Sequence, residues 1–158
     1  MKKVLFVCLG NICRSPTAEG IMKHLIDQKD LSDRIYCDSA GTSSVHRGER
    51  PDPRSSAYAL SRGVVLDSRS RPFDKVRDFD EFDLILAMDK NNLKSLQSLD
   101  LTGAHKDKIK LMCEFFPGKS YEEVPDPYFS GDEGFEIVFD ILEEATKGLL
   151  NFLVKDFK

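Results

Sequence analysis

The 158-residue chain has no tryptophan, only four cysteines and three histidines, and no surplus of positive charge. Each shortage excludes something. Cys8, Cys13, Cys37 and Cys113 have neither the paired spacing of a zinc site nor a close histidine, and His24, His46 and His105 are scattered, so no metal is expected. A net charge of −4 argues against a nucleic-acid binder that works through a basic face, while leaving room for a local basic pocket. No apolar run approaches the ~20 residues of a membrane span, and Met1-Lys2-Lys3 leads into an apolar stretch too short for a signal peptide. Internal repeats, low-complexity segments and linkers are also lacking. These absences leave a cytoplasmic chain with one domain over residues 1–158, large enough for a real core.

The most informative stretch is Val4-Leu-Phe-Val-Cys8-Leu-Gly-Asn-Ile-Cys13-Arg14-Ser15-Pro16. Val4 to Val7 is an apolar run sized for a parallel strand covered on both faces. Ser15 suits an N-cap and Pro16 the first helical position. Ala18, Ile21, Met22, Leu25 and Ile26 then recur at the helical period as one apolar stripe. The loop from Cys8 to Arg14 thus lies between a strand's carboxyl end and a helix's amino end, where unpaired backbone N–H groups and the helix dipole favour an anion. A helix N-terminus and a nearby cation also favour the reactive thiolate of a cysteine, and an arginine fork holds two phosphate oxygens at once. The pattern points to phosphoryl transfer onto Cys8. The plainer reading is a small core cysteine that ends a strand beside an unrelated arginine. With 4 cysteines, 9 arginines and 18 serines and threonines, Cys-x5-Arg-[Ser/Thr] arises by chance roughly 0.03 times in such a chain. The strand–loop–helix context makes accident rarer still.

Downstream, Ile35 to Gly41 reads as a second strand ending in small residues, and Gly41 to Asp52 as a loop. That loop leaves the same sheet edge as the Cys8 loop, so it is either a substrate rim or a connector. Asp52-Pro53 opens a helix that Gly63 closes. Asp67 to Pro72 carries two arginines that either face the anion site or form a solvated turn. Phe79 and Phe82 are expected beneath a strand Leu84 to Met88, with Asp89 capping a helix through Leu99 whose inner face holds Leu93 and Leu96. Ile109 to Met112 is the fourth strand. In Pro125-Asp126-Pro127-Tyr128-Phe129 two prolines fix one carboxylate. Aromatic neighbours that partly desolvate Asp126 suit it to a general acid, with a rigid surface turn as the alternative. Phe135, Val138, Phe139, Leu142, Ala145, Leu149 and Leu153 mark a long closing helix. The order βαβ-α-βα-β-α suggests a doubly wound α/β fold, with helices on both faces of a parallel sheet.

Across nearly its whole length the chain resembles the low-molecular-weight protein tyrosine phosphatases. The motifs that carry the resemblance are Val4 to Pro16, Asp38-Ser-Ala-Gly-Thr, Pro51-Asp-Pro-Arg, Phe82-Asp-Leu-Ile-Leu-Ala-Met-Asp89 and Val124-Pro-Asp126-Pro-Tyr. The resemblance implies a four-stranded parallel sheet and a cofactor-free phosphatase acting on phosphotyrosine-containing proteins and small aryl phosphates, with no nucleic acid or membrane as partner. It implies that Cys8 is the nucleophile, that Arg14 binds phosphate and that Asp126 protonates the leaving group. Leu9, Gly10, Asn11, Ile12, Cys13 and Ser15 then form the phosphate loop, with Ser39 supporting it. Tyr128, Phe129 and Val45 line the substrate slot, and Cys13 is a reversible disulfide partner for Cys8. Three positions depart from the family pattern: Ser68 stands where a histidine is common, Val45 where some members have an aromatic, and Phe129 where a second tyrosine is frequent. The same loop also serves thioredoxin-coupled arsenate reductases, but they need a further close cysteine pair, and only Cys113 follows Cys37. A phosphate-binding or redox-sensing module without catalysis is the remaining alternative, against which the Asp126 motif speaks.

Overall fold

The computed structural model describes residues 1–157. The first strand, β1 (Lys2–Cys8), is continuously buried from Val4 to Cys8, as a strand covered on both faces must be. It is flanked by β2 (Ile35–Gly41) and β3 (Leu84–Ala87), and β3 by β4 (Ile109–Leu111), all parallel in the order β2-β1-β3-β4. Register sets Cys8 opposite Gly41 and Val7 opposite Ala87. The chain leaves β1 toward β2 on one side and later takes up β3 on the other. This reversal opens a crevice at the carboxyl end of β1, where open α/β sheets bind ligands.

Strand alternation sorts the two faces. Val4 and Phe6 with Leu84 and Leu86 pack against α1 (Arg14–Gln28) and α5 (Asp132–Val154). Leu5 and Val7 with Ile85 and Ala87 pack against Phe79, Phe82 and Leu96, carried by and next to α3 (Asp78–Glu81) and α4 (Lys90–Leu99). The expected apolar stripes of α1 and α5 all turn inward, Leu25 being only partly covered. The fourth expected helix, α2 (Pro53–Ser61), is capped by Asp52 and ends at Gly63, whose φ of 80° suits only glycine without strain. Among the described residues no helix is long and apolar enough to cross a membrane.

Three local readings change. Helix α1 begins at Arg14, so Cys13, not Ser15, is its N-cap residue, and Pro16 is third. Ser15 is drawn away from capping because its hydroxyl serves the Cys8 loop. Met88 and Met112 lie just beyond their strands, where Val124 N–H meets Met88 C=O and a 3-10 turn follows β4. The one-turn α3 was not foreseen, since four residues are too few to show a period.

Candidate active site

Residues 8 to 15 form a loop whose carbonyls are bound from outside. Thr42 N–H donates to Cys8 C=O, Ser43 N–H to Leu9 C=O and Asp52 N–H to Ile12 C=O, at 2.9, 3.0 and 2.7 Å. Ser70 Oγ donates to Gly10 C=O at 3.0 Å. Gly41 is packed so closely beneath that a Cβ there would lie 2.8 Å from Leu9 O. With its carbonyls turned outward, the loop presents N–H groups to its hollow, as anion-binding nests do. Asn11 N–H points at Cys8 Sγ, 3.3 Å away.

Asn11 has φ 56°, a left-handed conformation that asparagine tolerates better than most residues. Its amide nitrogen donates to Ser15 Oγ at 2.7 Å and to Ser39 Oγ at 2.9 Å, and its Oδ1 accepts Arg71 N–H at 3.0 Å. An amide nitrogen only donates, so both serines accept from Asn11. Ser15 Oγ also lies in hydrogen-bond contact with Cys8 Sγ at 3.0 Å, and to a thiolate it is the hydroxyl that donates. Ser39 likewise accepts from Asn11 and gives its proton to the buried Glu19 carboxylate, itself paired with Lys23. Burial raises the Glu19 pKa, and the hydrogen bonds from Lys23 and Ser39 only partly offset it. Ser68 was the position singled out as unusual. The support from its segment comes instead from Ser70 and the Arg71 backbone, while the Arg71 guanidinium pairs with Asp38 and Asp78 rather than facing the anion site.

Arg14 is buried at the pocket floor. Its guanidinium donates to Asp89 Oδ2 at 2.6 Å and to Val124 C=O at 2.9 Å, and lies 3.5 Å from Asp126 Oδ2. Burial alone would disfavour its charge, but the Cys8 sulfur, Asp89 and Asp126 more than compensate. Asp89 divides its oxygens: Oδ1 caps α4 through Asn92 N–H and Oδ2 holds Arg14.

Asp126 differs from expectation. Its side chain is 43% exposed and its near neighbour is a cation, so aromatic desolvation is not found. Pro127 beneath it is buried, but Tyr128 and Phe129 turn outward. The arm is held from α2. Arg54 Nη2 donates to Asp52 Oδ2 and to Tyr128 C=O at 3.1 and 2.9 Å, and its guanidinium lies 4.5 Å over the Phe135 ring. Asp52 accepts from Arg54 through both oxygens, which holds its pKa below the ordinary value despite the opposing effect of burial.

These parts enclose a cavity of about 220 Å³ with Cys8 and Arg14 in its floor. Of the residues singled out by sequence, Leu9, Gly10, Ile12, Cys13, Val45, Asp126, Tyr128 and Phe129 also line it. Asn11, Ser15 and Ser39 stand behind as support. Val45 and Phe129 are 80% and 95% exposed, rim rather than wall. Burial and Asp52 push the Cys13 thiol up to about 12, so it is a neutral neighbour of the nucleophile candidate. Ser43 and His46 also line the cavity, which places part of the Gly41–Asp52 loop at its mouth. Glu19, Asp89 and Arg54 were also missed as site residues. Glu19 was visible in principle as a carboxylate one turn after Ser15, on the helix side that faces the core.

A family model described as low molecular weight phosphotyrosine protein phosphatase matches residues 3–158. The chain is 39% identical over 150 residues to the low molecular weight phosphotyrosine protein phosphatase of Homo sapiens, covering 94% of each. A crystal structure of protein tyrosine phosphatase from Entamoeba histolytica superposes with a TM-score of 0.91 at 45% identity, over 97% of both chains. A structure titled as drosophila arginine phosphatase superposes with a TM-score of 0.90 at 37% identity, over 99% of both. With these likenesses spanning nearly the whole chain, the chain belongs to the low molecular weight phosphotyrosine protein phosphatase family.

Proposed function

We propose that this phosphatase hydrolyses phosphotyrosine in cytoplasmic proteins, and small aryl phosphates, through a cysteinyl-phosphate intermediate. The observation that carries this reading is the convergence of Cys8 Sγ, the Arg14 fork and the Asp126 carboxylate on one cavity. The Cys8 thiolate attacks phosphorus in line and the P–O(aryl) bond breaks as Asp126 passes its proton to the phenolic oxygen. A water then attacks the cysteinyl phosphate, gives a proton to Asp126 and releases phosphate and the free thiolate. The transition state is loose and charge-rich, so the fixed guanidinium and loop N–H groups supply most of the stabilisation.

Leu9, Ile12 and Tyr128 give the cavity the apolar walls that a phenol ring fits. A guanidino leaving group would meet few acceptors there, which separates this reading from the chemistry named for the Drosophila relative. A disulfide relay is disfavoured because Cys37 lies in β2 and Cys113 beyond β4, too far apart in the sheet to form a passing pair.

Turnover of p-nitrophenyl phosphate with and without a chelator, followed by phosphotyrosine and phosphoarginine peptides, tests the proposal. Chelator-resistant turnover with phosphotyrosine preferred is expected. A preference for phosphoarginine, or loss of activity with chelator, would overturn it.

A further inference from the structure

Charge is unevenly distributed along the chain. Seven of the nine arginines fall between residues 47 and 77, whereas residues 114–144 contain ten carboxylates and one lysine. Several of these arginines are spoken for: Arg54 by Asp52, Arg62 by Asp140 and Glu143, Arg71 by Asp38 and Asp78. Arg47 and Lys75 are exposed and, among the described residues, have no carboxylate within 4 Å.

Backbone pairing brings these cations beside the active site. Gly48 N–H donates to Ser70 C=O at 2.8 Å and Ser70 N–H to Glu49 C=O at 2.9 Å, strapping the rim loop onto the segment that leads to Lys75. Arg47, Lys75 and Arg77 line a surface groove of about 620 Å³ together with Asp74 and the apolar Pro72 and Phe73. The rim loop joins groove to cavity, because Val45 and His46 line the cavity and Arg47 lines the groove. Asp74 lines the same groove and accepts the N–H groups of Val76 and Arg77, and Arg77 pairs with Asp78 and Glu81. Arg47 and Lys75 are therefore the cations that the groove leaves for a ligand, one loop width from the seat of the phosphate, in a protein of net charge −4.

We propose that this groove binds acidic side chains of the substrate polypeptide a few residues from the phosphotyrosine, so that preferred substrates are acidic on the side that crosses Arg47. The proposal deepens the phosphotyrosine reading and rests on it. The groove meets the cavity across the rim loop, on the side of Val45 and His46, which makes the preference one-sided. Because the groove cations are exposed, the effect is modest and screened by salt.

The test compares three phosphotyrosine peptides: a neutral one, one with three glutamates before the phosphotyrosine and one with three after. One acidic peptide, and not the other, should show kcat/KM about fivefold above the neutral peptide at low salt, as two or three exposed ion pairs give. The advantage should shrink at 0.5 M salt. The double variant Arg47→Glu, Lys75→Glu should erase it while leaving turnover of p-nitrophenyl phosphate unchanged, which also shows that the variant folds. Equal kcat/KM for all three peptides, or an advantage that survives the double variant, would overturn the groove assignment and leave the phosphotyrosine reading standing. Turnover of p-nitrophenyl phosphate without turnover of any peptide would overturn both.

Discussion

Two segments bring reacting groups to Arg14, and they are built on different plans. Residues 8 to 15 are buried apart from Leu9 and Gly10, and a chain of hydrogen bonds links Glu19 through Ser39, Asn11 and Ser15 to the sulfur, with Asn11 donating in both directions. Among the described residues no buried side-chain nitrogen or oxygen lacks a partner. Residues 126 to 131 are mostly exposed and are held by two prolines, the buried ring of Pro127 and the guanidinium of Arg54. The difference follows from the two tasks. A thiolate and a pentavalent oxyanion need dipoles that are already aligned, because reorienting them during reaction would cost activation energy. An acid that becomes a base must exchange protons with water, and exposure provides for that.

The largest effect should come from cutting the buried segment at its reactive atom. Cys8→Ser should abolish turnover of p-nitrophenyl phosphate while inorganic phosphate still binds in a calorimeter, and retained turnover would remove the nucleophile assignment. Next, Asp126→Asn should lower kcat about 100- to 1000-fold for phenyl phosphate and much less for p-nitrophenyl phosphate, whose leaving group needs little help. An equal loss for both esters would deny the acid role. Smaller again, Arg54→Ala should reduce kcat about tenfold for poor leaving groups without changing phosphate affinity, because it frees the arm and leaves the cradle intact. Arg54→Lys should fail to restore the rate, since an ammonium cannot bond Asp52 and Tyr128 C=O while stacking on Phe135. A matching fall in phosphate affinity would mean that the two segments are not separable.

The smallest effect concerns the joint between them. Asp52→Ala should cost about 1 kcal/mol of stability at pH 7 through the lost cap. The folded pKa of Asp52 is lowered, so its contribution is present above the ordinary carboxylate range and is lost as pH falls through that range. Chemical denaturation of wild type and variant should therefore converge as the pH drops below about 4. A gap that stays constant with pH would assign the loss to helix geometry alone.

Much of this was readable in the sequence, and for a definite reason. The cradle is local: Cys8 to Arg14 is short, is bounded by an apolar run and a helical stripe, and has its meaning fixed by the turn between them. The burial pattern of β1 and the stripes of α1 and α5 follow from period alone, and Asp52-Pro53 announced α2. Most of the misses at the site are relations across distance. Asp89 read as a cap, which it is, but its second oxygen meets a residue 75 positions away. Arg54 read as part of a motif, yet its work is to hold Tyr128 from the other side of the cleft. The environment of Asp126 was misjudged because neighbours in sequence, Tyr128 and Phe129, were taken as neighbours of the carboxylate. Their rings belong to the mouth of the same cavity, but the carboxylate itself is partly open to solvent and has the Arg14 guanidinium as its near neighbour.

The divided carboxylate of Asp89 has a consequence for what selection on stability can see. Asparagine caps helices as well as aspartate does, so Asp89→Asn would keep the cap of α4 while removing a counter-charge from the buried Arg14 guanidinium. A buried charge left short of its partner is costly to the fold, so the variant would melt earlier although its helix is intact, and a stability survey would record damage to the anion seat as damage to the scaffold.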